Sequence, residues 1–114
     1  MSAITEAVLL KALDGLSVRA QVIAQNIANA NSPGYRPLAV TFEDALRGAA
    51  AKGPESIAAV EPRIVPAFDS AGRPELRLDL ELASASATAG RYATLSELLN
   101  RQLQLNALAV SGTR

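Results

Sequence analysis

The chain has 114 residues, 49% of them apolar and 4% aromatic, with 11 basic against 11 acidic side chains, enough for one domain or one domain plus a tail. Zero net charge argues against nucleic acid or an anionic membrane surface as the main partner. Having no His and no Cys, the chain lacks the commonest general base, any cysteine nucleophile or disulfide, and the ligands of His/Cys zinc sites.

The N-terminus carries Glu6 among its apolar residues and no basic residue before Lys11, so no cleaved secretory signal is expected. Residues 3–31 read as one long helix. Leu9, Leu13, Leu16, Ala20, Ile23, Ile27 and Ala30 recur at alternating steps of four and three, the seam of a helix packed along another helix. Ser2 or Thr5 can cap its start, and Gly15 reads as its weak point, costing about 1 kcal/mol against Ala. Asn31-Ser32-Pro33-Gly34 stops it. The longest charge-free run, Ala20 to Tyr35, is interrupted by Gln21, Gln25, Asn26, Asn29 and Asn31, and no segment approaches the roughly 18 uncharged apolar residues of a membrane span.

Thr41 to Leu46 reads as one or two helical turns capped by Thr41, with Glu43 and Asp44 in the first turn. From Gly48 to Glu75 the prolines Pro54, Pro62, Pro66 and Pro74 predict mostly loop. Within it, Ile64 to Phe68 and Leu76 to Leu82 can form a short β-hairpin around a turn at Asp69–Gly72.

Helical periodicity returns from Asp79 to Ser111. Leu82, Ala85, Ala89, Tyr92, Leu99 and Leu103 form one stripe, which Leu95, Leu98, Leu105, Leu108 and Ala109 widen. A helix apolar over so much of its circumference buries more than one face, and a single partner helix covers only one of them. The few charges, Glu81, Arg91, Glu97, Arg101 and Arg114 in this last segment, fit a helical pair that completes its core by assembling. The fold expected is mainly α: long N- and C-terminal helices paired in a coiled-coil-like elongated bundle, with a Pro/Gly-rich middle loop. Its parts are an N-terminal helix and turn (1–35), a loop-rich middle (36–78) and a C-terminal helix of the same core (79–114).

The turn carries the most specific signal. Asn26-Ile27-Ala28-Asn29-Ala30-Asn31-Ser32-Pro33-Gly34-Tyr35 resembles the N-x-A-N-x-x-T-x-G-Y signature of the bacterial flagellar axial proteins, with Ser32 in the place of Thr. Physically, the Asn26 and Asn29 amides can bind backbone of a neighbour or of the returning chain, Ser32 can bond its own turn, and Gly34 permits positive φ. Tyr35 adds a flat apolar face with a polar tip. Arg36 to Leu46, Glu81-Leu82-Ala83, Arg91-Tyr92 and Leu98 to Leu105 are similar to the short proximal rod subunits. Pro74 to Arg77 and Thr88 depart from that pattern.

The resemblance implies a structural subunit of the basal-body rod, needed for motility and lodged in the periplasm after export without a cleaved signal. Its implied partners are further copies of itself, other rod proteins, the MS-ring adaptor and the export apparatus, with no nucleic acid, no small-molecule substrate and no cofactor. Leu9, Leu13, Leu16, Ala20, Ile23 and Ile27 would hold the helix pair, and Tyr92, Leu95, Leu98, Leu99, Leu105 and Leu108 would meet other subunits. A non-flagellar helical adaptor or export chaperone is the alternative. Catalysis is not expected, since Glu43/Asp44 and Asp79/Glu81 have no nucleophile motif or phosphate-binding loop beside them.

Overall fold

Ser2 caps the first helix as its hydroxyl accepts from the Thr5 amide at 3.1 Å, and α1 runs from Ala3 to Ala28. This computed structural model describes residues 2–112; Arg114, counted above among the charges of the last segment, lies outside them. α1 ends three residues short of the expected Asn31, capped by Asn29, whose backbone N–H and side-chain amide both donate to the Gln25 carbonyl, at 3.0 and 2.9 Å. Ala30 therefore belongs to the turn and not to the seam.

The other elements are β1 (Leu38–Thr41), α2 (Glu43–Ala50), α3 (Pro54–Ala58), β2 (Arg63–Pro66) and α4 (Leu78–Gly112). α4, with 35 residues, is about 52 Å long at ~1.5 Å per residue. It lies antiparallel along α1, as bonds from Asn26 to Glu81 at one end and from Asn106 to Glu6 at the other require. The molecule measures 63 × 26 × 18 Å with a radius of gyration of 17.4 Å, against about 13 Å for a compact domain of ~100 residues. The elongated helical pair is thus as expected.

The middle segment holds a small antiparallel sheet, as expected, and β2 overlaps the expected strand Ile64 to Phe68, but its partner is a different one. β1 pairs antiparallel with β2 in the register Leu38↔Pro66 to Thr41↔Arg63, so the second run, Leu76 to Leu82, is no strand. Its alternating leucines enter α4 at Leu78, with Asp79 and Glu81 in the favourable first turn. The Asp69–Gly72 turn forms, closed by Asp69 Oδ1 accepting from the amides of Ala71 and Arg73, but it leads from β2 into α4. Thr41 belongs to β1 and does not cap α2, which starts after Phe42 without a side-chain cap.

The stretch from 48 to 75 is mostly loop, as expected, but it also holds the end of α2, α3 and β2. Pro54 opens α3 at its first turn, where its missing N–H costs nothing, behind Gly53 at φ 127°. Ile57 of α3 is completely buried, and it shares the core with Val40, Phe42, Leu46, Ala49 and Val60 of the middle and Leu16 and Val22 of α1. Lys11 donates to the Ala58 carbonyl at 3.1 Å and ties α3 to α1. Gly15 is a packing slot and not a weak point. The Phe42 ring lies so close that a Cβ at Gly15 would sit 2.5 Å from it.

Candidate functional site

Asn26 is the best-buried polar side chain of the signature, with 1% of its surface exposed. Its amide nitrogen donates to the Leu38 carbonyl at 2.8 Å and to the Glu81 carboxylate at 3.2 Å. Its amide oxygen accepts from the Leu38 N–H at 3.1 Å and the Tyr35 hydroxyl at 2.7 Å. Two donors face the oxygen and two acceptors face the nitrogen, which fixes the amide's orientation. Asn26 thereby serves both backbone groups of the first β1 residue, as a neighbouring strand would, and also holds the start of α4.

The rest of the turn brings the chain back to Asn26. Ser32 donates its amide to the Asn29 carbonyl at 3.0 Å and its hydroxyl to the Asn29 side chain at 3.3 Å. Pro33 follows on the surface, and Gly34 takes φ 74°, a conformation that L side chains rarely adopt. The reversal delivers the half-buried Tyr35 to Asn26 and Pro37 to the interior. Ile27 is half-buried and Ala28 exposed. Of the alternatives left open for the two asparagines, Asn26 binds the returning chain and Asn29 its own helix end.

Arg19 joins α1 to α2 further along. Its guanidinium donates twice to Glu43, at 2.6 and 2.7 Å, and once to the Val40 carbonyl at 2.7 Å, while lying 4.8 Å above the Phe42 ring centre. These hydrogen bonds hold the Glu43 carboxyl down to about 2 from its ordinary 4.5. Asp79 is held below its ordinary value by the hydrogen bond from Arg77, and Asp69 by the Arg73 backbone amide. Asp44 pairs with Arg47 at 2.9 Å, and Glu81 receives Asn26. Each carboxylate of the two acidic pairs therefore has a structural partner, and among the described residues no group of acids could hold a metal ion.

Of the predicted helix seam, Leu9, Leu16 and Ile23 are buried, Leu13 and Ile27 half-buried, and Ala20 exposed. On α4 the covered positions are Glu81, Ala85, Thr88, Leu95, Leu99 and Gln102, with Ser96 beside Leu95. These keep the steps of four and three but sit one residue away from Leu82, Ala89 and Leu103, which are exposed. Glu81 lies on that seam and accepts from Asn26, in line with the buried Thr88 and with Leu95 on the core. The predicted contact face divides accordingly. Leu95 packs on the core and Leu99 is half-buried beside α1, whereas Tyr92, Leu98, Leu105 and Leu108 face outward.

Sequence reasoning missed an open apolar groove of about 790 Å³ between α2 and α4. Val8, Ala12 and Leu16 of α1 form its floor, Leu46 and Phe42 one wall, and the small residues Ala87 and Gly90 the other. Glu43, Arg47 and Arg91 mark its edge. The signal available was the run of small residues from Ala83 to Gly90, which leaves α4 without bulk where it passes α2. No helix is long and apolar enough to cross a membrane among the described residues.

Residues 8–36, from the first turns of α1 through the signature turn, match the family described as flagella basal body rod protein. No curated protein matches the chain.

Proposed function

From an N-terminal region that carries the signature of the flagella basal body rod family, we propose that this chain is a structural subunit of the rod, of the proximal type, that self-assembles helically through its terminal helices. The family is structural and not enzymatic, and the match supports a role in the basal-body rod. The observation that carries the reading is this match, together with what the matched residues do. Asn26 and Tyr35, both inside it, fasten the returning chain and the start of α4 to the end of α1.

Tyr92, Leu98, Leu105 and Leu108, exposed on α4, provide a face for neighbouring subunits. The other partners in this reading are further rod proteins, the MS-ring adaptor and the export apparatus, which the chain passes without a cleaved signal. Mass spectrometry of purified hook–basal bodies from the source cell, with the deletion strain as control, tests it. The expected result is this chain in the rod fraction, and neither rod nor hook in its absence. A chain confined to the cytoplasm, with intact basal bodies in the deletion strain, rejects the rod reading in favour of a helical adaptor.

A further inference from the structure

We propose that the groove between α2 and α4 receives the Leu98–Leu105–Leu108 stripe of α4 from a second copy of the chain. The proposal rests on the assembly reading above and adds which surface meets which. The groove is apolar at its floor and charged at its edge, so it fits a rigid apolar ridge with polar flanks. Leu98, Leu105 and Leu108 make such a ridge on α4, on the side away from α1, with Arg101 between Leu98 and Leu105 drawn aside to Glu97 at 3.4 Å.

Dimensions and charge agree. The groove follows α4 from Ala87 to Leu95, about 12 Å, and the stripe from Leu98 to Leu108 spans about 15 Å at ~1.5 Å per residue. Ala87 and Gly90 leave the groove open, and a Cβ added at Gly90 would meet nothing within 4 Å. Arg91 at the edge takes part in none of the ion pairs among the described residues, which leaves it available to an incoming Glu97, whose exposed pair with Arg101 of its own helix is long at 3.4 Å and can be shared. A molecule cannot fill its own groove, because stripe and wall belong to one continuous helix.

Groove and stripe are different surfaces, so the contact is heterologous. Repeated, it gives an open helical array and not a closed dimer. Three leucines bury much less than the roughly 1,600 Å² of a stable pair, so two copies alone associate weakly and the array holds by several contacts per subunit.

The absence of native cysteine makes disulfide trapping clean. Chains carrying Ala87→Cys or Thr94→Cys, at the two ends of the groove, are each mixed with Leu108→Cys at high concentration and oxidised. The end that faces Leu108 is expected to form a covalent heterodimer at least tenfold faster than Ala71→Cys mixed with Leu108→Cys. Adding Leu105→Ser to the Leu108→Cys chain should abolish that advantage while leaving helicity and Tm unchanged. A yield no greater than the control pair at both ends of the groove, faster Leu108→Cys homodimers, or indifference to Leu105→Ser each overturn the assignment. In purified basal bodies, doubly substituted chains that are present but yield no ladder with either Ala87→Cys or Thr94→Cys joined to Leu108→Cys overturn the groove assignment and leave the rod reading intact. Absence of the chain there rejects the rod reading, while the mixing experiment still decides the pairing.

Discussion

The block formed by α1, β1, α2 and α3 and the long helix α4 use their apolar residues in opposite ways. In the block, large side chains converge: Leu16, Val22, Val40, Phe42, Leu46, Ile57 and Val60 are buried together. In α4, only Thr88 is buried, while Leu98, Leu103, Leu105 and Leu108 stand in solvent. Both regions are rich in leucine and alanine, so composition does not separate them. The number of elements packed around each residue does. The block folds on itself from several directions, whereas α4 is covered along one seam and keeps the rest of its apolar surface for contacts outside the chain.

Truncating a side chain in each region sharpens the contrast most. Ile57→Ala should cost about 2–5 kcal/mol in urea unfolding, and Leu105→Ala, on the exposed side of α4, no more than about 0.5 kcal/mol. Equal losses would mean that α4 is as deeply integrated as the block. Asn26→Ala strips partners from the Leu38 backbone and the Tyr35 hydroxyl together, and about 3 kcal/mol is expected from leaving buried polar groups unpaired. Asn26→Asp keeps the shape but turns an acceptor toward the Leu38 carbonyl and Glu81, so it should rescue nothing; full rescue would reduce Asn26 to a packing role.

Glycine gives a comparison of sign. Gly15→Ala should destabilise by about 1–3 kcal/mol, because the new Cβ drives into the Phe42 ring. Gly90→Ala, with open space around it, should stabilise by up to about 1 kcal/mol through helix propensity. Thermal unfolding of the two variants decides whether the close approach lies in the block alone.

The smallest effect concerns acid. The Glu43 carboxyl sits at about 2 in the folded chain against 4.5 ordinarily. Its contribution is therefore complete above pH 4.5 and fades as pH falls toward 2. Half of the Glu43 side chain is exposed, so the contribution stays below about 1 kcal/mol. Glu43→Gln should flatten the acid limb of a stability–pH curve by that amount, with no change near pH 7 beyond the same loss.

What the sequence disclosed follows the range of the interactions. The seam of α1 is a local periodicity, and Leu9, Leu16 and Ile23 are buried on it. The signature turn is local too, with Gly34 and Ser32 acting as their chemistry suggests. Gly15 misleads because its reason is Phe42, well beyond any helical period, and Ile57 is hidden because prolines around a five-residue helix resemble loop. Of the α4 stripe, Ala85 and Leu99 are covered, while Leu82, Ala89, Tyr92 and Leu103 are exposed, since leucines occur nearly all round that helix and hydrophobic pattern alone does not fix its phase. Polar positions such as Glu81, which accepts from Asn26, and the buried Thr88 lie on the covered side, which hydrophobic pattern cannot register. The groove depends on α2 and α4 passing each other, and neither segment encodes it alone.

The Asn106–Glu6 bond joins residues 100 apart in the chain, and it has a consequence for the order in which the structure forms and opens. The seam on which α4 lies is α1, so α4 docks after α1 exists, closing a long connection whose entropic cost rises only slowly with length. The block has by then gathered nearly all of its core, and α4 contributes to it little more than Leu95. Opening runs in reverse. Amide hydrogens along the outer turns of α4 exchange through partial undocking that leaves those around Ile57 protected. The long helix is thus expected to come free first, and hydrogen exchange that is no faster along its outer turns than around Ile57 would contradict this.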